Sequence, residues 1–267
     1  MVPLYERVTP ILHTPPEVDA AGSHPGELSG ELRLDGVSFR YGSTGPAILD
    51  DVSLSIRPSE SIAIVGPSGS GKSTLLRLLL GFERPTAGTV SYDGQDLATL
   101  DIREVRRQLG VVLQNGSVTP GFILDNILGA AALTLDDAWQ AAAMAGIAED
   151  IQRLPMGMYT LVSEGGTTFS GGQRQRLLIA RALARRPRLL FFDEATSALD
   201  NTTQSVVAES VARAQATRIV IAHRLSTILQ ADRIIVLEAG RIQQVGTYQE
   251  LMHEDGVFKR LAERQMV

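Results

Sequence analysis

Hydrophobic positions divide the chain before any motif is considered. From Glu31 onward Leu32, Leu34, Val37 and Phe39 alternate with polar neighbours, and residues 48–56 continue in the same way, as half-buried antiparallel strands do. Ser61-Ile62-Ala63-Ile64-Val65 is nearly all apolar and ends at Gly66, which suits a strand buried on both faces of a parallel sheet. Apolar runs at 189–192, 219–222 and 234–237 then interleave with helical stretches at about 72–81, 172–185, 202–214 and 247–263. Strand, helix, strand, helix predicts an α/β fold with a parallel sheet core behind an N-terminal antiparallel β subdomain. Between Gln114 and Ser170 the pattern is mainly helical, at 123–128, 135–145 and 147–154, which predicts an inserted α-helical subdomain over about 115–170. Pro10, Pro15, Pro16 and Pro25 with Gly22, Gly26 and Gly30 exclude a continuous helix or central strand near the start. Residues 1–30 therefore read as a linker and 31–267 as the domain, the linker being either a tether from something upstream or an inconsequential tail. No internal repeat, low-complexity tract or coiled-coil heptad is present.

Composition narrows the class. With 267 residues and 44% hydrophobic content the chain can fill a large core, which excludes intrinsic disorder. A formal net charge of −5 gives no overall basic surface for non-specific nucleic-acid binding, so no nucleic-acid partner is expected. The absence of cysteine excludes disulfides, thiolate metal sites and cysteine nucleophiles. The longest apolar runs fall well short of the ~18 residues a membrane helix needs, and Met1 to Arg7 does not read as a signal peptide.

Gly66-Pro67-Ser68-Gly69-Ser70-Gly71-Lys72-Ser73 matches G-x-x-x-x-G-K-[ST] between a predicted buried strand and a predicted helix. The glycines allow backbone N–H groups to converge on phosphate oxygens, and the helix presents its unpaired N–H groups and positive end to the anion. Lys72 is expected to bridge the β- and γ-phosphates and Ser73 to place its hydroxyl on Mg²⁺, with Thr74 next along the same turn. The motif resembles that of P-loop NTPases, which implies a RecA-like parallel-sheet core. Leu189-Leu190-Phe191-Phe192-Asp193-Glu194 is an apolar strand ending in two acids, a costly placement unless they meet a cation or an ordered water. Asp193 is the expected Mg²⁺ partner and Glu194 the residue that polarises an attacking water.

Phe169-Ser170-Gly171-Gly172-Gln173 resembles the L-S-G-G-Q signature of ATP-binding cassette (ABC) proteins, with Phe169 in place of the usual leucine. Ser170 and the N–H groups of Gly171 and Gly172 stand at a predicted helix start, a second place for an anion. With the phosphate loop before it and Asp193-Glu194 after it, the order of motifs is similar to an ABC nucleotide-binding domain. The resemblance implies ATP and Mg²⁺ as ligands, and a signature (Ser170, Gly171, Gly172, Gln173) that completes the nucleotide site of an opposing subunit. It implies that Tyr41 stacks on adenine and that Gln114 reaches Mg²⁺ and the water while coupling to the transport lobe. It also implies that His223 contacts the γ-phosphate and that Asp200, within Ser197-Ala198-Leu199-Asp200, crosses the dimer interface.

Thr160-Leu161-Val162-Ser163-Glu164-Gly165-Gly166 resembles in part the T-E-V-G-E-R-G segment of exporter-type cassettes, and residues 4–30 resemble the tail between a last membrane helix and its cassette. Residues 115–121 are more similar to cassettes of bacterial peptide or bacteriocin exporters than to those of typical drug exporters. What the resemblance implies is an exporter ATPase that dimerises, as a homodimer with two competent sites or as a heterodimer. Such a cassette works with transmembrane domains of the same full-length protein at the cytoplasmic face of the cell (inner) membrane. Two other readings stand beside it: a soluble ABC-type ATPase acting on nucleic acid or ribosomes, and an ATP-dependent non-transport switch.

Overall fold

The computed structural model describes residues 8–9, 13, 22–42, 44–163, 169–193, 206–210, 215–222 and 224–265. The chain first lays down β1 (Leu32–Arg40), β2 (Ala47–Ile56), β3 (Ser61–Val65), α1 (Lys72–Leu79), β4 (Ala87–Tyr92) and β5 (Gln95–Asp96). Alternation in β1 buries Leu32 and Leu34 and, after a register irregularity between Leu34 and Val37, Val37 and Phe39; Leu32 lies opposite both Ile56 and Tyr92. β1 is thus an inner strand of an antiparallel sheet ordered β2-β1-β4-β5. β3, buried at all five positions, joins a different sheet, as its apolar run predicts.

After α2 (Ile102–Arg107) and β6 (Leu109–Val112) the chain enters the inserted lobe: β7 (Gly121–Phe122), α3 (Ile123–Leu128), α4 (Leu135–Met144), α5 (Ala148–Gln152) and β8 (Leu161–Val162). It returns through α6 (Gly171–Leu183), β9 (Leu189–Asp193), β10 (Thr217–Ile221), α7 (Leu225–Ile228), β11 (Arg233–Glu238), β12 (Arg241–Gly246), α8 (Tyr248–His253) and α9 (Val257–Gln265). The main sheet is ordered β12-β11-β3-β10-β9-β6, parallel except for β12. One apolar cluster runs from Ile123, Ile127 and Ala141 in the lobe through Leu177 of α6 to Leu190 and Phe192 of β9, so α6 seats the lobe on the sheet.

The lobe is mainly helical, with the short strands β7 and β8 pairing across its two ends. Two local expectations are revised. The helix expected over 247–263 is two helices: Glu254 leaves α8 in extended conformation, Asp255-Gly256 follows, and the Gln244 side chain caps α9 by accepting the Phe258 N–H at 3.0 Å. Residues 22–30, assigned to the linker on their Pro and Gly content, are docked on the folded body. Leu28 is buried, the Gln108 side chain accepts the Leu28 N–H at 2.8 Å and donates to the Gly26 carbonyl at 2.7 Å, and the Asp93 carboxylate takes the N–H and hydroxyl of Ser29. The fully buried Thr217 hydroxyl closes this strap onto the sheet by donating to the Gly30 carbonyl at 2.7 Å and accepting the Ser59 N–H at 2.9 Å.

Candidate active site

The parallel strands β11, β3, β10, β9 and β6 all end at one edge of the sheet, where crevices beyond the carboxyl ends gather ligands. Gly66 to Gly71 follow β3 there, Asp193 ends β9, and Gln114 follows β6, which is hydrogen-bonded to β9 with Val112 opposite Phe192. Asp193 is 9% exposed, whereas Gln114 is exposed in a turn closed by the Gly116 N–H on the Leu113 carbonyl at 3.0 Å.

Within the loop Lys72 folds back, its ammonium donating to the carbonyls of Gly66 at 2.9 Å and Pro67 at 3.0 Å. It is one of the few buried charged residues, at 7% exposure. Gly71 caps α1 at φ 104°, a left-handed conformation that favours glycine, and among the described residues no side chain makes a capping hydrogen bond to the helix start. The first-turn N–H groups therefore face outward with the positive end of the helix. Ser73 is exposed at that turn and Thr74 is buried behind it. The Ser70 hydroxyl is buried without a hydrogen-bond partner among the described residues. Tyr41, 48% exposed, sits edge-on against Phe39 with ring centres 4.8 Å apart and its phenol oxygen 3.5 Å from the Thr74 hydroxyl. This leaves an aromatic ring available beside the first turn of α1.

The turn expected to offer a second place for an anion stands at the start of α6. Ser170 caps the 13-residue helix α6: its hydroxyl accepts the Gln173 N–H at 3.2 Å while the Gln173 side-chain oxygen accepts the Ser170 N–H at 3.0 Å. Ser170 and Gly171 remain exposed. Phe169, in place of the leucine, is buried in the lobe cluster.

The family model described as ABC transporter matches residues 49–197, more than half of the chain. This chain belongs to the ABC transporter family. Over 264 residues it is 43% identical to the alpha-hemolysin translocation ATP-binding protein HlyB of Escherichia coli O157:H7, covering 97% of this chain and 37% of that protein. It is also 43% identical to the exotoxin translocation ATP-binding protein PaxB of Pasteurella aerogenes, covering 98% of this chain and 37% of the relative. A bacterial Atm1-family ABC exporter, solved with ATP bound, superposes with a TM-score of 0.93 at 37% identity, covering 100% of this chain and 47% of that one. The ABC chain thus spans little more than a third of the length of the curated relatives it matches. The antiparallel subdomain and parallel-sheet core expected from the residue pattern are those of the ABC ATPase fold.

Glu194, Asp200 and His223 of this ABC chain lie outside the described residues. Two features of the ABC domain escaped the sequence reading. The turn between β11 and β12, with Ala239 at φ 48° and Gly240 at φ 78°, braces the phosphate loop: the Gly240 N–H donates to the Ser70 carbonyl at 3.1 Å and its carbonyl accepts the Asp50 N–H at 2.9 Å. A two-residue loop ending in Gly between an apolar run and an alternating one is the signal that could have found it. The other is a hub at Asn126, 1% exposed, which accepts the Thr119 N–H, donates to the carbonyls of Thr119 and Phe122, and accepts from Arg181 at 2.7 Å. It fixes the segment after Gln114 to α3 and α6, and burial pulls the Arg181 guanidinium below its usual pKa. No local sequence signal marks this hub.

Proposed function

We propose that this chain is the ATP-hydrolysing domain of an ABC exporter, working as a pair of chains that close head to tail around two ATP molecules. The observation that carries the reading is the Gly66–Ser73 loop. It follows a fully buried strand at the carboxyl edge, holds a buried lysine across its own carbonyls, and opens onto an uncapped helix start. The N–H groups of Gly69, Ser70, Gly71, Lys72 and Ser73 cradle the phosphates, while Gly66, Pro67 and Ser68 set the path of the loop. Lys72 exchanges its two loop carbonyls for β- and γ-phosphate oxygens, and Tyr41 stacks on the adenine.

Ser73, Asp193 and Gln114 are the groups that would hold Mg²⁺. They offer oxygen donors only, and among the described residues no three His, Asp or Glu side chains form a ready-made metal cage. That suits an ion bound by one carboxylate and the substrate's own phosphates. When bound it neutralises charge developing on the β- and γ-phosphate oxygens. Glu194 orients the attacking water and accepts its proton; the water oxygen bonds to the γ-phosphorus, and the bond to the β,γ-bridging oxygen breaks to leave ADP and phosphate. His223 holds the γ-phosphate.

Ser170, Gly171, Gly172 and Gln173 of one chain close over the γ-phosphate held by the other, with Asp200 at the interface. ATP favours the closed pair because only that state grips the γ-phosphate from both sides. The opening and closing drive transmembrane domains of the same full-length protein at the cytoplasmic face of the inner membrane. A cavity of about 290 Å³ beside the turn of Gln114, lined by Leu80, Phe82, Leu113, Gly116, Leu178 and Arg181, supports coupling of this turn to the transport lobe. The names of the relatives, translocators of hemolysin and exotoxin, favour a polypeptide cargo. ATP turnover of the native chain beside Glu194→Gln tests the reading: the variant is expected to bind ATP, stop hydrolysing it and accumulate as a dimer on gel filtration. Equal turnover of the two chains removes Glu194 from the mechanism.

A further inference from the structure

Asp150 lies 20 positions before Ser170 in the sequence, on the short helix α5, yet both of its carboxylate oxygens meet residues of α6. One accepts from the Gln173 side-chain nitrogen at 2.9 Å; the other accepts from Arg176 at 2.8 Å, and the same Arg176 nitrogen donates to the Gly146 carbonyl at 2.6 Å. The pair is largely shielded, with side-chain exposures of 16% for Arg176 and 28% for Asp150.

The consequence follows from donor and acceptor chemistry. An ionised carboxylate only accepts and the Ser170 N–H only donates, so Asp150 and Ser170 together hold Gln173 with its NH₂ group toward α5 and its oxygen toward Ser170. That oxygen takes the Ser170 N–H at 3.0 Å, and the Ser170 hydroxyl oxygen accepts the Gln173 N–H at 3.2 Å. With its lone pair engaged inward, the Ser170 hydroxyl keeps its proton to donate outward. Arg176 neutralises the carboxylate, so the device adds no net negative charge beside the exposed turn. We infer that Asp150 is a positioning residue: it sets the orientation of the Gln173 amide and thereby aims the Ser170 hydroxyl and the first N–H groups of α6 at the phosphate they face. The inference rests on the head-to-tail reading of the signature given above.

A purely structural role for Asp150 would favour the first turn of its own helix through the dipole, and losing it would lower stability and every activity together. The positioning role separates them. The test uses the whole chain in three forms, native, Asp150→Asn and Asp150→Glu, each measured for ATP turnover against ATP and protein concentration, for binding of a fluorescent ATP analogue to the dilute chain, and for thermal midpoint. Asn can present either an oxygen or an NH₂ to Gln173 and so loses the directing effect; Glu still only accepts. Asp150→Asn is expected to lower kcat about ten-fold, the scale of one hydrogen bond to a charged group. Analogue affinity is expected to stay within two-fold, and Asp150→Glu to recover most of the turnover. Unchanged turnover in Asp150→Asn overturns the inference, as does a parallel fall of midpoint, analogue affinity and turnover, or failure of the variant to fold. A native chain whose specific activity does not rise with protein concentration instead refutes the head-to-tail reading, and the inference falls with it.

Discussion

The phosphate loop holds its shape because the turn between β11 and β12 and strand β2 press on it, and alanine substitutions at its glycines read that pressure directly. At Gly69 the backbone has φ 77° and a built Cβ meets nothing within 4 Å, so Gly69→Ala carries only left-handed strain, about 1–2 kcal/mol. At Gly71, φ 104°, the same strain is joined by contacts of 2.8 Å to a Leu49 methyl and 3.0 Å to the Ile48 carbonyl; overpacking of about 1–3 kcal/mol brings Gly71→Ala to roughly 2–5 kcal/mol. Gly66 has the least space, because its Cβ would lie 2.0 Å from the Leu237 carbonyl oxygen, a backbone atom of β11 that cannot rotate aside. Either the loop or β11 must move, and Gly66→Ala is expected to cost the most. A domain of this size loses about 2–4 °C of melting temperature per kcal/mol. Thermal unfolding of the nucleotide-free chain, followed by circular dichroism, should therefore rank Gly66→Ala below Gly71→Ala and Gly71→Ala below Gly69→Ala. A Gly69→Ala midpoint as low as that of Gly66→Ala would refute the idea that contact with β11 shapes the loop.

Lys72→Ala is expected to weaken ATP binding by about 10- to 100-fold, the range of one or two hydrogen bonds to a charged group, as measured by titration calorimetry. Thr217→Val keeps the buried shape but leaves the Gly30 carbonyl without its donor, which should cost about 1–3 kcal/mol in urea unfolding and free the strap of residues 22–30 for proteolysis. Tyr92 is fully buried and donates to the Leu79 carbonyl, and burial pushes its phenol above the ordinary tyrosine value. A pKa raised in the folded state gives stability that is complete below pH about 10 and lost as pH rises beyond it, so Tyr92→Phe should flatten the alkaline fall in melting temperature.

What could be read from the chain alone follows contact distance along the sequence. The phosphate loop was legible because its strand, glycines, lysine and helix are contiguous, and the folded loop makes its key contacts five and six residues apart, from Lys72 back to Pro67 and Gly66. The contacts that went unread pair distant residues: Gln173 with Asp150 across 23 positions, Arg181 with Asn126 across 55, and Thr217 with Gly30 across 187. Residues 22–30 have a linker's composition and are held by Gln108, Asp93 and Thr217, polar side chains whose targets no local pattern reveals. The break between α8 and α9 was visible as Asp255-Gly256, but helical periodicity on both sides outweighed it.

These long-range contacts also separate what is rigid from what can tilt. The phosphate loop is tied by backbone hydrogen bonds to strands on either side, through Gly240 to Ser70 and Asp50. The lobe is different: β7 and β8 form a two-stranded sheet of their own that is not joined to the main sheet, and the lobe meets β9 through the side chains of Leu177, Leu190 and Phe192. A change of angle between lobe and sheet therefore shifts packing without breaking a ladder, which is the shear type of motion. Ser170, Gln173 and Asp150 ride together on the lobe side of that joint, so the exposed turn moves as a preformed unit. Under the proposed head-to-tail reading, its approach to a facing phosphate is governed by where the lobe stands rather than by remaking the turn.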